Sequence, residues 1–161
     1  ATARDGVPYK EMIQNGVLSL SGENIIDYHD VYQWFVDAVQ KYKIFPLWIG
    51  YDRYSASYLV QEMKQKFHMD DVYQGWNMTP AIRRLEGELK DGTVKIGTND
   101  LLRVHLLDTA LKRDTESRRV KIIKLNATSH IDGTAALLDA LIVKDKWHGQ
   151  IGEQLKNLKR G

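Results

Sequence analysis

The stretch Leu47-Trp48-Ile49-Gly50-Tyr51-Asp52 is a short apolar run that ends abruptly in an acid. A buried strand delivers a charge to the rim of a sheet in this way. Its counterpart is His130-Ile131-Asp132-Gly133-Thr134-Ala135-Ala136-Leu137-Leu138, where an acid sits in the first turn of an apolar helix. Strand and helix together argue for an α/β layer fold. Carboxylates placed beside a core cost free energy unless something positive or hydrogen-bonding meets them. A divalent cation is the obvious partner, because hard cations prefer carboxylate oxygens.

Working outward from these two stretches, the rest of the chain alternates in the same way. Val31, Trp34, Phe35, Ala38, Val39 and Tyr42 recur at helical spacing behind an acidic N-terminal region at Asp27 to Asp30. Pro46 separates that helix from the apolar strand at 47–51. Ser55 is placed to cap a second helix with the face Leu59, Val60, Met63 and Phe67. A short strand is expected around Val72-Tyr73. Thr79-Pro80 then starts a helix, with a capping residue followed by proline, and Asp91-Gly92 ends it. Residues 99–107 read as a short helix. From Ala110 to Leu125 two extended segments flank the polar turn Asp114-Thr115-Glu116-Ser117, a hairpin. The last clear helix runs from Ile131 to about Lys144, with Ile131, Ala135, Leu138 and Ile142 as its core stripe. Residues 145–161 form a basic polar tail, compatible with a frayed helix from Trp147 on, leaving 1–144 as the folded domain.

At 161 residues the chain is long enough for a real core, and 43% apolar with 27% charged residues is ordinary for a globular protein. With 23 basic and 21 acidic side chains, net charge says little about partners. Local distribution says more. Residues 112–124 carry Lys112, Arg113, Arg118, Arg119, Lys121 and Lys124 against only two acids. Such a strip binds phosphate even in a nearly neutral chain. The absence of cysteine removes disulfides, thiolate metal sites and cysteine nucleophiles. No run approaches the ~20 apolar residues that span a bilayer, so no membrane role is expected. There is no glycine-rich phosphate loop and no serine, histidine and acid arrangement of a triad.

Each candidate has a plain structural alternative. An Asp in a helix's first turn is favourable through the macrodipole alone, and an Asp at a strand end is often a turn residue. At 100° per residue Asp139 lies about 20° around the helix from Asp132 and roughly 10 Å along it, too far to share one ion. It is therefore a candidate accessory acid. His130 is a candidate ligand or proton carrier, although a histidine before a helix is more often a cap. Lys and Arg on an exposed hairpin also protect an edge strand against aggregation.

In order along the chain, Val7-Pro8-Tyr9-Lys10-Glu11-Met12, Gly16-Val17-Leu18 and Ile26-Asp27-Tyr28 resemble the large terminase subunit of tailed bacteriophages. Gly50-Tyr51-Asp52-Arg53-Tyr54-Ser55-Ala56 with Leu59-Val60-Gln61-Glu62 matches that family's aspartate-bearing strand and following helix. Gln74-Gly75-Trp76, Thr79-Pro80 and Arg84-Leu85-Glu86 continue the series, and Ile131-Asp132-Gly133 with Ala135-Ala136-Leu137 matches its late metal-binding aspartate. The resemblance implies the C-terminal nuclease domain, an RNase H-like mixed sheet flanked by helices. It implies an endonuclease that cuts concatemeric double-stranded DNA during genome packaging in the host cytoplasm, with the terminase small subunit and the portal protein as partners. Asp52 and Asp132 would hold Mg²⁺ or Mn²⁺, and the complete site would contain two such ions about 3.5–4 Å apart. The family's first aspartate lies on a strand upstream of the Val-Pro-Tyr segment. Residues 1–20 contain no such strand, so a chain lacking the ATPase and the first nuclease strands is expected. The alternatives are another RNase H-like nuclease, of resolvase or transposase type, and a non-catalytic DNA-binding or assembly module with the same fold.

Overall fold

The structure is a computed structural model that describes residues 6–54 and 57–158, apart from the side chains of residues 57, 151 and 154–158. Two compact units share the chain. The first comprises residues 1–20 and 74–138, the second residues 21–73 and 139–161.

In the first unit, a short helix α1 (Tyr9–Gln14) buries Met12. Gly75, at φ +106°, leads into a single 3-10 turn, Trp76–Met78, and a 12-residue helix follows at Thr79–Lys90 (α4, numbered in chain order). The sequence places this helix start correctly but misassigns the threonine. Thr79 is the first helical residue, with Pro80 behind it, and its hydroxyl is used elsewhere. Ala81, Ile82 and Leu85 form the buried face, and Gly92 at φ +68° follows the end of the helix. Helix α5 (Asp100–Leu107) is capped by the Asn99 side chain, which accepts from Leu102 N–H. Strands β3 (Thr109–Arg113) and β4 (Val120–Lys124) pair antiparallel as the expected hairpin.

The second unit begins with helix α2 (Tyr28–Tyr42), whose N-terminus is capped by Asp27 accepting from His29 N–H. Strands β1 (Ile49–Asp52) and β2 (Met69–Val72) pair parallel, joined through helix α3 (Ser57–Met63). A crossover helix is what a parallel pair requires. The proposed capping residue Ser55 lies outside the described residues. Strand β2 starts earlier than the sequence suggests, at Met69, and its two acids, Asp70 and Asp71, are neutralised in place. Arg53 Nε donates to Asp71, holding that carboxyl below its usual range. Asp70, 8% exposed, accepts from Lys146 Nζ and from Trp147 Nε1 at 2.7 Å.

The final helix, α6 (Asp132–Leu158), runs 27 residues. Its first turns belong to the first unit and the remainder to the second. It continues well past Lys144, where the sequence reading ends it, because Trp147 stacks on Trp48 with ring centroids 4.0 Å apart and parallel planes. The expected core stripe is also rotated. Of Ile131, Ala135, Leu138 and Ile142 only Leu138 is fully buried, and Thr134, Asp139, Leu141 and Val143 are the other buried positions. Gly50 is the reason in the second unit. A Cβ there would stand 2.7 Å from the Asp139 carbonyl oxygen and 2.8 Å from Val143 Cγ2, so only glycine lets the helix backbone approach β1 this closely.

Candidate active site and nucleic-acid interface

Asp52 is the last residue of β1, as the apolar run ending in an acid predicts. Its Oδ1 accepts from Tyr54 N–H at 3.2 Å, which bends the chain away after the strand. Side chains alternate along a strand, so Asp52 shares a face with Gly50, the face against which α6 is seated at Asp139. Asp139 is 5% exposed. Trp48, just before β1, stacks on Trp147 of α6, and Gly50 within the strand faces Asp139 and Val143. Tyr51, on the opposite face, has its hydroxyl pKa raised by burial and by Asp71 and Asp70.

Asp132 opens α6 in the first unit and is exposed, so it lacks the core-side setting that the sequence suggests. Apart from His130, its surroundings are defined by residues that the sequence did not single out. His105 Nδ1 accepts from Gly133 N–H at 2.8 Å, a cap on the new helix supplied from α5. That bond requires the imidazole to be neutral at Nδ1. Burial lowers the His105 pKa, with Asp132 and Asp108 acting in the opposite sense and His130 in the same sense. The His130 backbone N–H donates to Asp108 Oδ2 at 3.1 Å, and its ring centroid lies 6.5 Å from that of His105. Thr109 and Thr134 hydroxyls meet at 2.9 Å. A lone histidine on α5 carries no ligand spacing, and its partner lies 28 residues downstream, so no sequence signal marks it.

Among the described residues no group of three or more His, Cys, Asp or Glu side chains is gathered closely enough to hold a metal ion. Asp52 and Asp132 belong to different units. Both are at element ends and present oxygen donors of the kind Mg²⁺ and Mn²⁺ accept.

The basic hairpin is held in place from two sides within the first unit. Thr79 Oγ1 accepts from Val120 N–H at 2.9 Å and has the carbonyls of Trp76 and Val120 within reach of its single proton. Arg83 donates to the Arg118 carbonyl, and Arg118 itself sits in the turn at φ +55°. Asp114 collects the turn, accepting from Glu116 N–H and the Ser117 hydroxyl. All six cations of the strip lie on this hairpin or its turn. Five are exposed and Lys121 is half-buried.

The family model for the terminase large subunit, endonuclease domain, matches residues 2–146. The chain belongs to that family. A solved structure, the crystal structure of the HK97 bacteriophage large terminase, matches with a TM-score of 0.77 at 23% identity, over 87% of this chain and 29% of that one. At that identity the likeness speaks to fold, and the fold of this terminase endonuclease domain is mixed α/β and RNase H-like. The chain spans less than a third of the length of the HK97 protein. No curated protein matches it. No helix among the described residues of the terminase domain is long and apolar enough to cross a membrane.

Proposed function

We propose that this terminase domain is a metal-dependent endonuclease that cuts concatemeric double-stranded DNA during viral genome packaging. The observation that carries the reading is the family match across residues 2–146, a span that includes both element-end acids and the whole basic hairpin. Asp52 and Asp132 are assigned as metal ligands, with Asp139 or His130 as accessory groups. Bound Mg²⁺ or Mn²⁺ supplies activation of water and stabilisation of developing charge on the leaving oxygen. Lys112, Arg113, Arg118, Arg119, Lys121 and Lys124 are assigned to the phosphate backbone, where contacts position DNA without reading its bases. The same reading takes residues 1–144 as the nuclease body and 145–161 as a basic extension. It places the protein in the host cytoplasm with the small subunit and portal as partners.

Mn²⁺ binding to the 161-residue chain, followed by electron paramagnetic resonance, is the direct test. Asp52→Asn and Asp132→Asn are nearly isosteric and remove ligand charge, so each should weaken Mn²⁺ binding by about tenfold or more. Unchanged binding in either variant means that residue is misassigned. Two carboxylates are fewer than a two-ion site needs, and no three-ligand group stands among the described residues. Slow, chelator-sensitive cutting by this chain alone is therefore expected. That same scarcity of ligands favours the second reading, a DNA-binding or assembly module without catalysis. Its signature would be DNA affinity with no Mn²⁺ binding.

A further inference from the structure

The hairpin register divides the four cations that lie on its strands. Cross-strand partners stand on the same face of a sheet, and β3 pairs with β4 as Lys112 with Lys121, Leu111 with Ile122, and Arg113 with Val120. Leu111 and Ile122 line an apolar cleft with Ile82, Leu85 and Leu138, so the face they share with Arg113 and Lys124 is the inward one. Lys112 and Lys121 are the charged strand residues of the opposite face, beside Ala110 and Ile123, and the next pair along it is Asp114 with Arg119 at the turn, where Asp114 N–H donates to the Arg119 carbonyl. Directly opposed like charges destabilise a β pair. Neither lysine forms an ion pair among the described residues. Lys121 Nζ is instead held 5.0 Å from the Trp76 ring, and Trp76 is fixed to β4 through Thr79. An indole face orients an ammonium without neutralising it.

We infer that Lys112 and Lys121, backed by Trp76, form a two-pronged seat for a single backbone phosphate of duplex DNA. Partner Cα atoms in an antiparallel pair lie about 4.5–5.5 Å apart, a spacing from which two lysine side chains converge on one phosphate group. The anion relieves the repulsion that the empty pair bears. This inference rests on the proposed role of the hairpin and narrows it, because it makes one pair act jointly and leaves Arg113 and Lys124 outside the seat.

Binding of a short duplex to the 161-residue chain, measured by anisotropy across a salt series, separates the two levels. Each phosphate contact contributes about 0.9 to the slope of log affinity against log salt. The double Lys112→Gln, Lys121→Gln variant should flatten the slope by ~0.9 in all, and neither single variant by more than that, because the pair neutralises one phosphate. Additive losses of separate contacts, or no loss, would overturn the seat while sparing the hairpin. A wild-type chain without salt-dependent DNA binding removes both readings. A second readout needs no DNA. Inorganic phosphate should raise the thermal midpoint of the wild type and leave that of Lys112→Gln unmoved, and an equal shift in both would count against the seat.

Discussion

The two sheets of this molecule treat charge in opposite ways. The parallel pair β1–β2 carries acids, and its two best-defined ones are answered internally: Asp71 by Arg53, and Asp70 by Lys146 and Trp147. The antiparallel hairpin carries cations and sets two of them directly across from each other with no acid between. Charge that is answered within the chain fixes structure. Charge left facing its own kind calls for a partner from outside. By that criterion Asp70 and Asp71 are structural acids despite standing near Asp52, and the hairpin lysines are the side chains to associate with a ligand.

The largest test of this contrast falls on the second unit. Gly50→Ala forces a Cβ against the Asp139 carbonyl, a backbone atom that cannot rotate away. Urea unfolding should show a loss of about 2–3 kcal/mol. A neutral substitution would mean that α6 is not seated on β1 as described. Next comes Asp70→Ala, which leaves the Trp147 indole N–H and the Lys146 ammonium without their shared acceptor. About 2 kcal/mol is expected, with Asn at the same position retaining part of it. On the hairpin side, Thr79→Val removes the acceptor for Val120 N–H and should cost about 1 kcal/mol. It should also loosen β4, seen as faster amide exchange at Val120 and its neighbours. Unchanged exchange there would show the hairpin to be held by its own turn alone.

The smallest effect is also the one that sets the units apart most plainly. In the metal-free chain His105 has a folded pKa below the unfolded value near 6.5, so its cap on α6 contributes stability above pH ~6.5 that is lost as pH falls through the folded value. His29 behaves inversely. Its bond to Glu62 raises its pKa, so its contribution is complete below pH ~6.5 and fades as pH rises through the folded value. Amide exchange followed from pH 5 to 8 should show the start of α6 loosening toward acid and the start of α2 loosening toward base. His105→Gln and His29→Gln should each flatten the response of its own region only.

Much of this was legible in the sequence because it is locally determined. The α2 periodicity with its Asp27 cap, the hairpin around a polar turn, and Asp52 and Asp132 at element ends all depend on neighbours a few residues away. The resemblance to terminases led to the family itself. What escaped notice depends on distant partners. The extension of α6 beyond Lys144 has no apolar periodicity and is held by Trp48 and Asp70. The start of β2 is disguised by two aspartates whose counter-ions lie elsewhere. His105 looks like any helical histidine until Gly133 is folded onto it.

The clasp of Asp70 by Lys146 and Trp147 has a consequence in time. Its partners are 76 and 77 residues apart in the chain. As a ribosome extends the polypeptide, β1, β2 and helices α2 and α3 emerge early but stand with an uncovered face. The hairpin and α4, whose contacts are nearer in sequence, are complete before Trp147 has been made. The half of the molecule synthesised first in bulk is thus the half that closes last, and until it does the nascent chain presents an open parallel pair, an uncovered Trp48 and a waiting carboxylate to whatever else is in the cell.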